Sequence, residues 1–340
     1  MKELEKSVDC DIMKIFLTGG AGYIGSVLTR ELVDAGYDVT VYDTFYFGKE
    51  ALDDVKDRIK IIQGDIKKIT EKDLEGQDCV IDLAAMSNDP AGELDPLITE
   101  SVNYRGRVNV AILSKKVGVK KYIAPSSAGN YGWSEKPVNE TSPVAPITTY
   151  TISNYKWEQS ILPMADKNFC VTVLRQSTVY GVSWRMRFDI IVNDFTLQVF
   201  RDKKIIIKGN GMEFRPFVHI KDDCQAFIKV IDAEDNIVNG EIFNVGTIHQ
   251  SLRIKDVMES VFKTLNLEPS YGFGEHIDKR NYIMDCSKIE RILGFKPKYK
   301  IEDGVSEIYK SLENGFLKTD DPRNITLKWY KNLMEKGLLK

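Results

Sequence analysis

The stretch Thr18-Gly19-Gly20-Ala21-Gly22-Tyr23-Ile24-Gly25 decides the fold. It follows an apolar run, Met13-Lys14-Ile15-Phe16-Leu17, that reads as a buried strand, and it opens a segment with helical spacing, Ile24 to Ala35. A glycine-rich turn in that setting gathers backbone N–H groups and the positive end of a helix at one point, which suits a pyrophosphate. Gly19 permits the tight turn, Gly22 lets backbone approach the phosphates and Gly25 allows close packing of the helix. Tyr23 and Ile24, at the start of the helix, belong to the same expected dinucleotide contact.

Outward from the turn, strand-like and helical runs alternate. They are Asp38 to Tyr42, Ile59 to Gln63, Cys79 to Leu83, a helix from Val102 to Val117, Lys121 to Pro125, a helix from near Tyr150 to about Lys167, and Cys170 to Arg175. Such alternation predicts an α/β fold, a Rossmann-type doubly wound parallel sheet with a smaller mixed α/β substrate lobe. The expected borders are an N-terminal extension at 1–12, a cofactor domain at 13–180 with 217–233 returning to it, and the second lobe at 181–340. The Lys-rich end, Leu327 to Lys340, reads as a solvated terminal helix.

The chain has 340 residues, 43% of them apolar, enough to bury a sizeable core. A net charge of −3 gives no general attraction for nucleic acid. No apolar run approaches the roughly 20 residues a bilayer demands, and no secretory leader is read. Cys10, Cys79, Cys170, Cys224 and Cys286 lack metal or redox spacing and fit reduced thiols of a cytoplasmic protein. His219, His249 and His276 lie far apart in sequence, so no metal is expected.

Asp43 ends the second strand, eighteen residues after Gly25, where a carboxylate can accept from the adenosine ribose hydroxyls and would repel a 2′-phosphate. NAD is therefore expected over NADP. Asp65 and Ile66, after the third strand, are placed at the adenine; Leu83, Ala84 and Ala85, after the fourth, let backbone lie against the cofactor.

With these residues in order, the chain resembles an extended short-chain dehydrogenase/reductase of the NAD-dependent epimerase/dehydratase family over residues 13 to 315. The opening glycine motif carries the resemblance, with Asp65 in G-D-I, Asn103 in V-N, and Ser126-Ser127-Ala128-Gly129-Asn130-Tyr131-Gly132. Further on come L-R-Q-S-T-V-Y-G at 174–181, G-N-G-M-E-F-R-P-F-V-H-I-K-D-D at 209–223 and F-N-V-G at 243–246. The resemblance implies that Ser127 hydrogen-bonds a reacting sugar oxygen and that Tyr150 moves its proton. It places Asn103 and Ser126 with Tyr150 and residue 154 at the cofactor. Ser87, Asn193, Arg215 and Arg280 are placed at a nucleotide-diphosphate sugar, with planar arginine donors suiting phosphate oxygens. It also implies a homodimer, paired through the helix after Asn103 and the helix carrying Tyr150.

One residue departs from the pattern. Residues four apart on a helix lie about 40° from one face, so Tyr150 and Asn154 can reach one ligand, but the family has lysine where this chain has Asn154. Free tyrosine has a pKa of about 10, and a nearby cation is what makes it a base near neutrality. Lys156 is about 120° off the tyrosine face, and a register that makes it the motif lysine puts Ile152 at the tyrosine position. Glu158 favours the register of Tyr150 with Asn154. Three consequences stay open: a slow enzyme, rescue by a lysine from elsewhere, or an NAD-binding pseudoenzyme that senses or scaffolds.

The stretch Ser127-Ala128-Gly129-Asn130 lacks the acidic pair that 4,6-dehydratases of this family use, and also the acid of related decarboxylases. Redox-only chemistry is expected: epimerisation at C4 through a 4-keto sugar, with a 4-ketosugar reductase as the alternative.

Overall fold

The protein is described by a computed structural model over residues 12–275, 278 and 280–339. All of the expected extension except Ile12 lies outside the described residues, Cys10 included, as does His276.

The strands are β1 (Lys14–Thr18), β2 (Asp38–Asp43), β3 (Lys60–Gln63), β4 (Cys79–Asp82), β5 (Lys121–Ser127), β6 (Cys170–Gln176), β7 (Thr178–Tyr180), β8 (Ile205–Lys208), β9 (Phe214–His219), β10 (Glu241–Val245), β11 (Ser251–Arg253) and β12 (Tyr271–Gly274). Seven form one sheet in the order β10-β6-β5-β4-β1-β2-β3, every neighbouring pair parallel. This is the doubly wound Rossmann sheet read from the sequence. Side chains alternate across it: Ile15 and Leu17 join one apolar cluster with Leu28 and Phe227, whereas Phe16 joins the other with Val110 and Trp157. Strand order reverses between β1 and β4, which opens a crevice at their carboxyl ends.

Two expectations are corrected. The stretch 217–233, expected to return to the cofactor domain, does not do so through the large sheet; β9 pairs with β7 and β11 in a separate three-stranded sheet. The strand that takes the edge of β6 is β10. The helix that follows β9, Ile220–Asp232, does pack back on the helix Tyr23–Asp34. The terminal helix, Thr326–Glu335, is solvated on one side only. Tyr330, Leu333 and Leu339 are buried with Met86 and Ala91, and the Trp329 indole N–H donates to the carbonyl of Tyr46 at 2.6 Å. Lysine spacing marked its wet face, and nothing local showed what covers the other. No helix among the described residues is long and apolar enough to cross a membrane.

Candidate active site

The glycine turn has no space for side chains. Gly19 adopts φ +68°, and a Cβ on it would lie 2.9 Å from the Ala84 nitrogen. A Cβ on Gly25 would run into the Gly19 carbonyl and sit 2.8 Å from the Gly20 Cα, both backbone. The helix Tyr23–Asp34 starts at Gly22 with no side-chain cap, so its first N–H groups are free for an anion. Gly25→Ala is expected to weaken NAD binding about tenfold or more, since a backbone overlap costs roughly 1–3 kcal/mol; titration calorimetry of cofactor-free protein checks it, and unchanged affinity would contradict a pyrophosphate at this turn.

Gly19, Gly22, Tyr23, Ile24, Gly25, Asp43, Asp65, Ile66, Leu83, Ala84, Ala85, Ser87, Ser126, Tyr150 and Asn154 all line one cavity at the crevice. Asp43 accepts from Phe45 N at 2.7 Å and from Ala21 N at 3.0 Å, so it braces the turn. Each of its oxygens keeps acceptor capacity for a ribose hydroxyl. Asp65 caps its own loop by accepting from Lys67 N at 2.9 Å.

Other expected site residues serve as supports. Asn103 does not line the cavity: its amide is bonded on both sides to the backbone of Met86, at 2.7 and 3.0 Å, and pins the loop after β4. Asn193 is fully satisfied as well. It accepts from Gly181 N and donates to the Tyr23 hydroxyl and the Arg187 carbonyl, clamping the loop after β7, and leaves no donor for substrate. Ser127 lies beside the cavity wall that Ser126 forms, and its hydroxyl accepts from Gly129 N at 3.0 Å. A Cβ on Gly129 would stand 3.1 Å from Ser127 Oγ and 3.3 Å from Arg280 Nη1, so serine and arginine share one wall. Arg215 and Arg280 converge on Asp278, at 2.9 and 2.6 Å, and Arg280 also pairs with Asp89 at 2.7 Å. The two guanidiniums hold the Asp278 carboxyl well below the usual range against the cost of its burial.

The helix Thr149–Ile161 presents Tyr150 and Asn154 to the cavity, while Lys156 is exposed and turned to the ring of Tyr104. Lys156 is therefore not placed to act on the phenol. Glu158 is fully buried and pairs with Arg175 at 2.7 Å while accepting from Asn130, which fixes the loop after Ser127. Burial raises the Tyr150 phenol above its ordinary pKa; the Asn154 amide, Arg107 and Arg187 pull it back, and Asp89 pushes it up. Turnover that uses the phenolate should therefore climb with pH through the neutral to alkaline range.

Arg107, Arg185, Arg187, Tyr330 and Leu339 also line the cavity and were not read from sequence. Arg107 had a signal, since it follows Asn103 by four. Arg185 is buried, with its guanidinium over Phe47 at 3.6 Å and its Nε unpartnered, and burial lowers its pKa to about 10. An uncapped helix start, a cradle that any Cβ would fill, and unpartnered donors on Arg185 and Asn154 fit a dinucleotide.

A model of the NAD-dependent epimerase/dehydratase family matches residues 15–246. The chain is 30% identical over 322 residues to a UDP-glucose 4-epimerase of Lactobacillus helveticus, covering 88% of this chain and 96% of that one. It is 26% identical over 327 residues to a UDP-N-acetyl-alpha-D-glucosaminuronate decarboxylase of Bacillus cytotoxicus, covering 88% and 99%. Among solved structures, a UDP-glucuronic acid 4-epimerase from Bacillus cereus in complex with NAD superposes with a TM-score of 0.79 at 25% identity, covering 92% of this chain and 99% of that one.

Proposed function

This chain belongs to the NAD-dependent epimerase/dehydratase family, and from that membership we propose that it interconverts nucleotide-diphosphate sugars that differ at C4, by way of a transient 4-keto sugar. The observation that carries the reading is the placement of Tyr150 in the same cavity as the glycine turn, where, among the described residues, the carboxylate acting on its phenol is already bonded. Asp89, whose charge opposes ionisation of the phenol, is engaged at both oxygens: Oδ2 pairs with Arg280, and Oδ1 accepts from the Thr148 hydroxyl at 2.6 Å. Removal of water or carbon dioxide has no assigned group, whereas oxidation and reduction at one carbon need only one proton carrier.

The glycine turn, Asp43, Asp65 and Asn154 would hold NAD, which when bound supplies the reversible redox partner. Tyr150 takes the proton from the sugar hydroxyl and returns it to the keto oxygen. Ser127 orients that oxygen from the same wall. Arg215 and Arg280 would exchange Asp278 for the diphosphate, a change that planar guanidinium donors accommodate.

Recycling of the cofactor is favoured over a ketoreductase by Tyr330 and Leu339, which bring the chain's end onto the cavity. A reductase has to exchange its cofactor at each turnover, and a covered one leaves slowly. Exposed Leu97, Ile112 and Ile152, on the helices Pro96–Glu100, Arg107–Val117 and Thr149–Ile161, would be covered in the proposed homodimer. The test is incubation of NAD-loaded protein with UDP-glucose or UDP-glucuronic acid and separation of the sugar isomers. A new isomer formed in excess over NAD supports epimerisation. Reduced cofactor accumulating in step with sugar consumed would show a dehydrogenase instead.

A further inference from the structure

We propose that Arg107 is the cation that lets Tyr150 serve as a base, and that Asn154 relays it while offering a donor to the cofactor, so that two residues divide what the family assigns to one lysine. The proposal rests on the epimerase reading for its chemistry, but its geometry is independent of any sugar.

Arg107 is 1% exposed and opens the helix Arg107–Val117 directly after a π-helical segment, Ser101–Gly106. A π turn carries one residue more than an α turn and shifts the register of the helix beyond it, and such turns gather at functional sites. The guanidinium lies over the Trp157 ring at 3.8 Å, and Arg107 is part of the cavity lining. Nη2 donates to the carbonyls of Asp82 at 3.3 Å and Pro125 at 2.8 Å, near the ends of β4 and β5. Nε meets Asp82 Oδ2 at 3.3 Å, while Nη1 points the other way and donates to Asn154 Oδ1 at 3.3 Å.

That last bond fixes the amide of Asn154. With Oδ1 taken by Arg107, Nδ2 is directed away from it; it is buried, unpartnered, and belongs to a residue lining the cavity beside Tyr150. A donor there suits a ribose hydroxyl or the tyrosine oxygen. The Arg107–Asp82 pair also has a direction. Asp82 sits behind the guanidinium, satisfied further by the Tyr122 hydroxyl at 2.7 Å and the Thr18 hydroxyl at 2.5 Å, so the pair turns its positive side to Asn154 and the phenol.

Two further charges in the phenol's field are Asp89, opposing ionisation and held by Arg280, and Arg187, favouring it and held by Asp189 at 3.0 Å. On the tyrosine's own helix, Lys156 faces away and Glu158 is spent on Arg175. A lysine at 154 would set its ammonium against Arg107, so the asparagine is required by the arginine and the two are exchangeable only together.

The test titrates the Tyr150 phenol of the NAD-loaded protein by ultraviolet difference against Tyr150→Phe, in wild type, Arg107→Gln, Asn154→Lys and the double variant. Removing a cation at this range is expected to raise the phenol by about 1–2 pH units in Arg107→Gln, with the alkaline limb of kcat moving alike. Asn154→Lys alone, with two cations in contact, is expected to bind NAD more weakly and unfold at lower urea. The double variant restores one cation and should titrate like wild type. An unmoved phenol in folded Arg107→Gln overturns the proposal. If that variant does not fold, a double variant titrating well below wild type overturns it instead, because lysine would then be adding charge where Arg107 had supplied none. Titrations that shift as described while no protein converts any sugar leave the charge assignment standing and remove the epimerase reading; conversion with an unmoved phenol removes only the assignment.

Discussion

Tyr150→Phe is expected to cut turnover by about a hundred- to ten-thousand-fold, the usual worth of a positioned acid–base group, while NAD still binds. Phenylalanine keeps the ring that fills the cavity wall and removes only the oxygen that carries the proton. The residual rate should lose its rise with pH, because that rise reports the phenol, which burial holds above its ordinary pKa. Steady-state rates across neutral and alkaline pH, with NAD affinity measured alongside, decide it. A loss well under tenfold, or a retained alkaline rise, would move the proton to another group.

Glu158→Ala is expected to destabilise the fold by about 3–5 kcal/mol, the cost of leaving a buried partner charge unpaired. Side chains of Arg175 and Glu158 are 3% and 0% exposed, so water cannot take over when the carboxylate is removed. The carboxylate also accepts from Asn130 at 3.0 Å, and Arg175 reaches the Tyr131 hydroxyl at 3.1 Å. The substitution therefore loosens the loop behind Ser127 as well, and KM should rise together with a fall in kcat. The urea midpoint, at unchanged slope, measures the first effect. A shift worth less than about 1 kcal/mol would mean that the pair contributes as little as an exposed one.

The parallel sheet was legible because its signals are local. An apolar run such as Ile15 to Leu17, followed by a turn and a helical period, specifies strand and helix without reference to distant residues. The cofactor cradle was legible for the same reason, since glycine spacing reports backbone approach directly. Asn154 was legible as a departure from the family but not as a solution. The compensation we propose for it is Arg107, 47 residues earlier, and only the packing of two helices over Trp157 brings them together. Asn103 and Asn193 share one feature that the sequence does not show: an amide in a functional motif reads as a ligand, and in the structure both are bonded to groups that they hold in place. The terminal helix showed the limit of periodicity. Lys328, Lys331 and Lys336 mark one side as wet, and Tyr330 and Leu333 mark the other as buried, but the identity of the covering surface is a tertiary fact.

The central claim, that one cavity oxidises a sugar at C4 and reduces it again with the same cofactor, is tested most directly by label retention. NAD-loaded protein is given UDP-glucose bearing deuterium on C4, and the isomers are resolved by NMR and mass spectrometry. The account predicts a C4 epimer that keeps its deuterium, with no net change in reduced cofactor. A product that has lost the label, or reduced cofactor formed in proportion to sugar consumed, would contradict it.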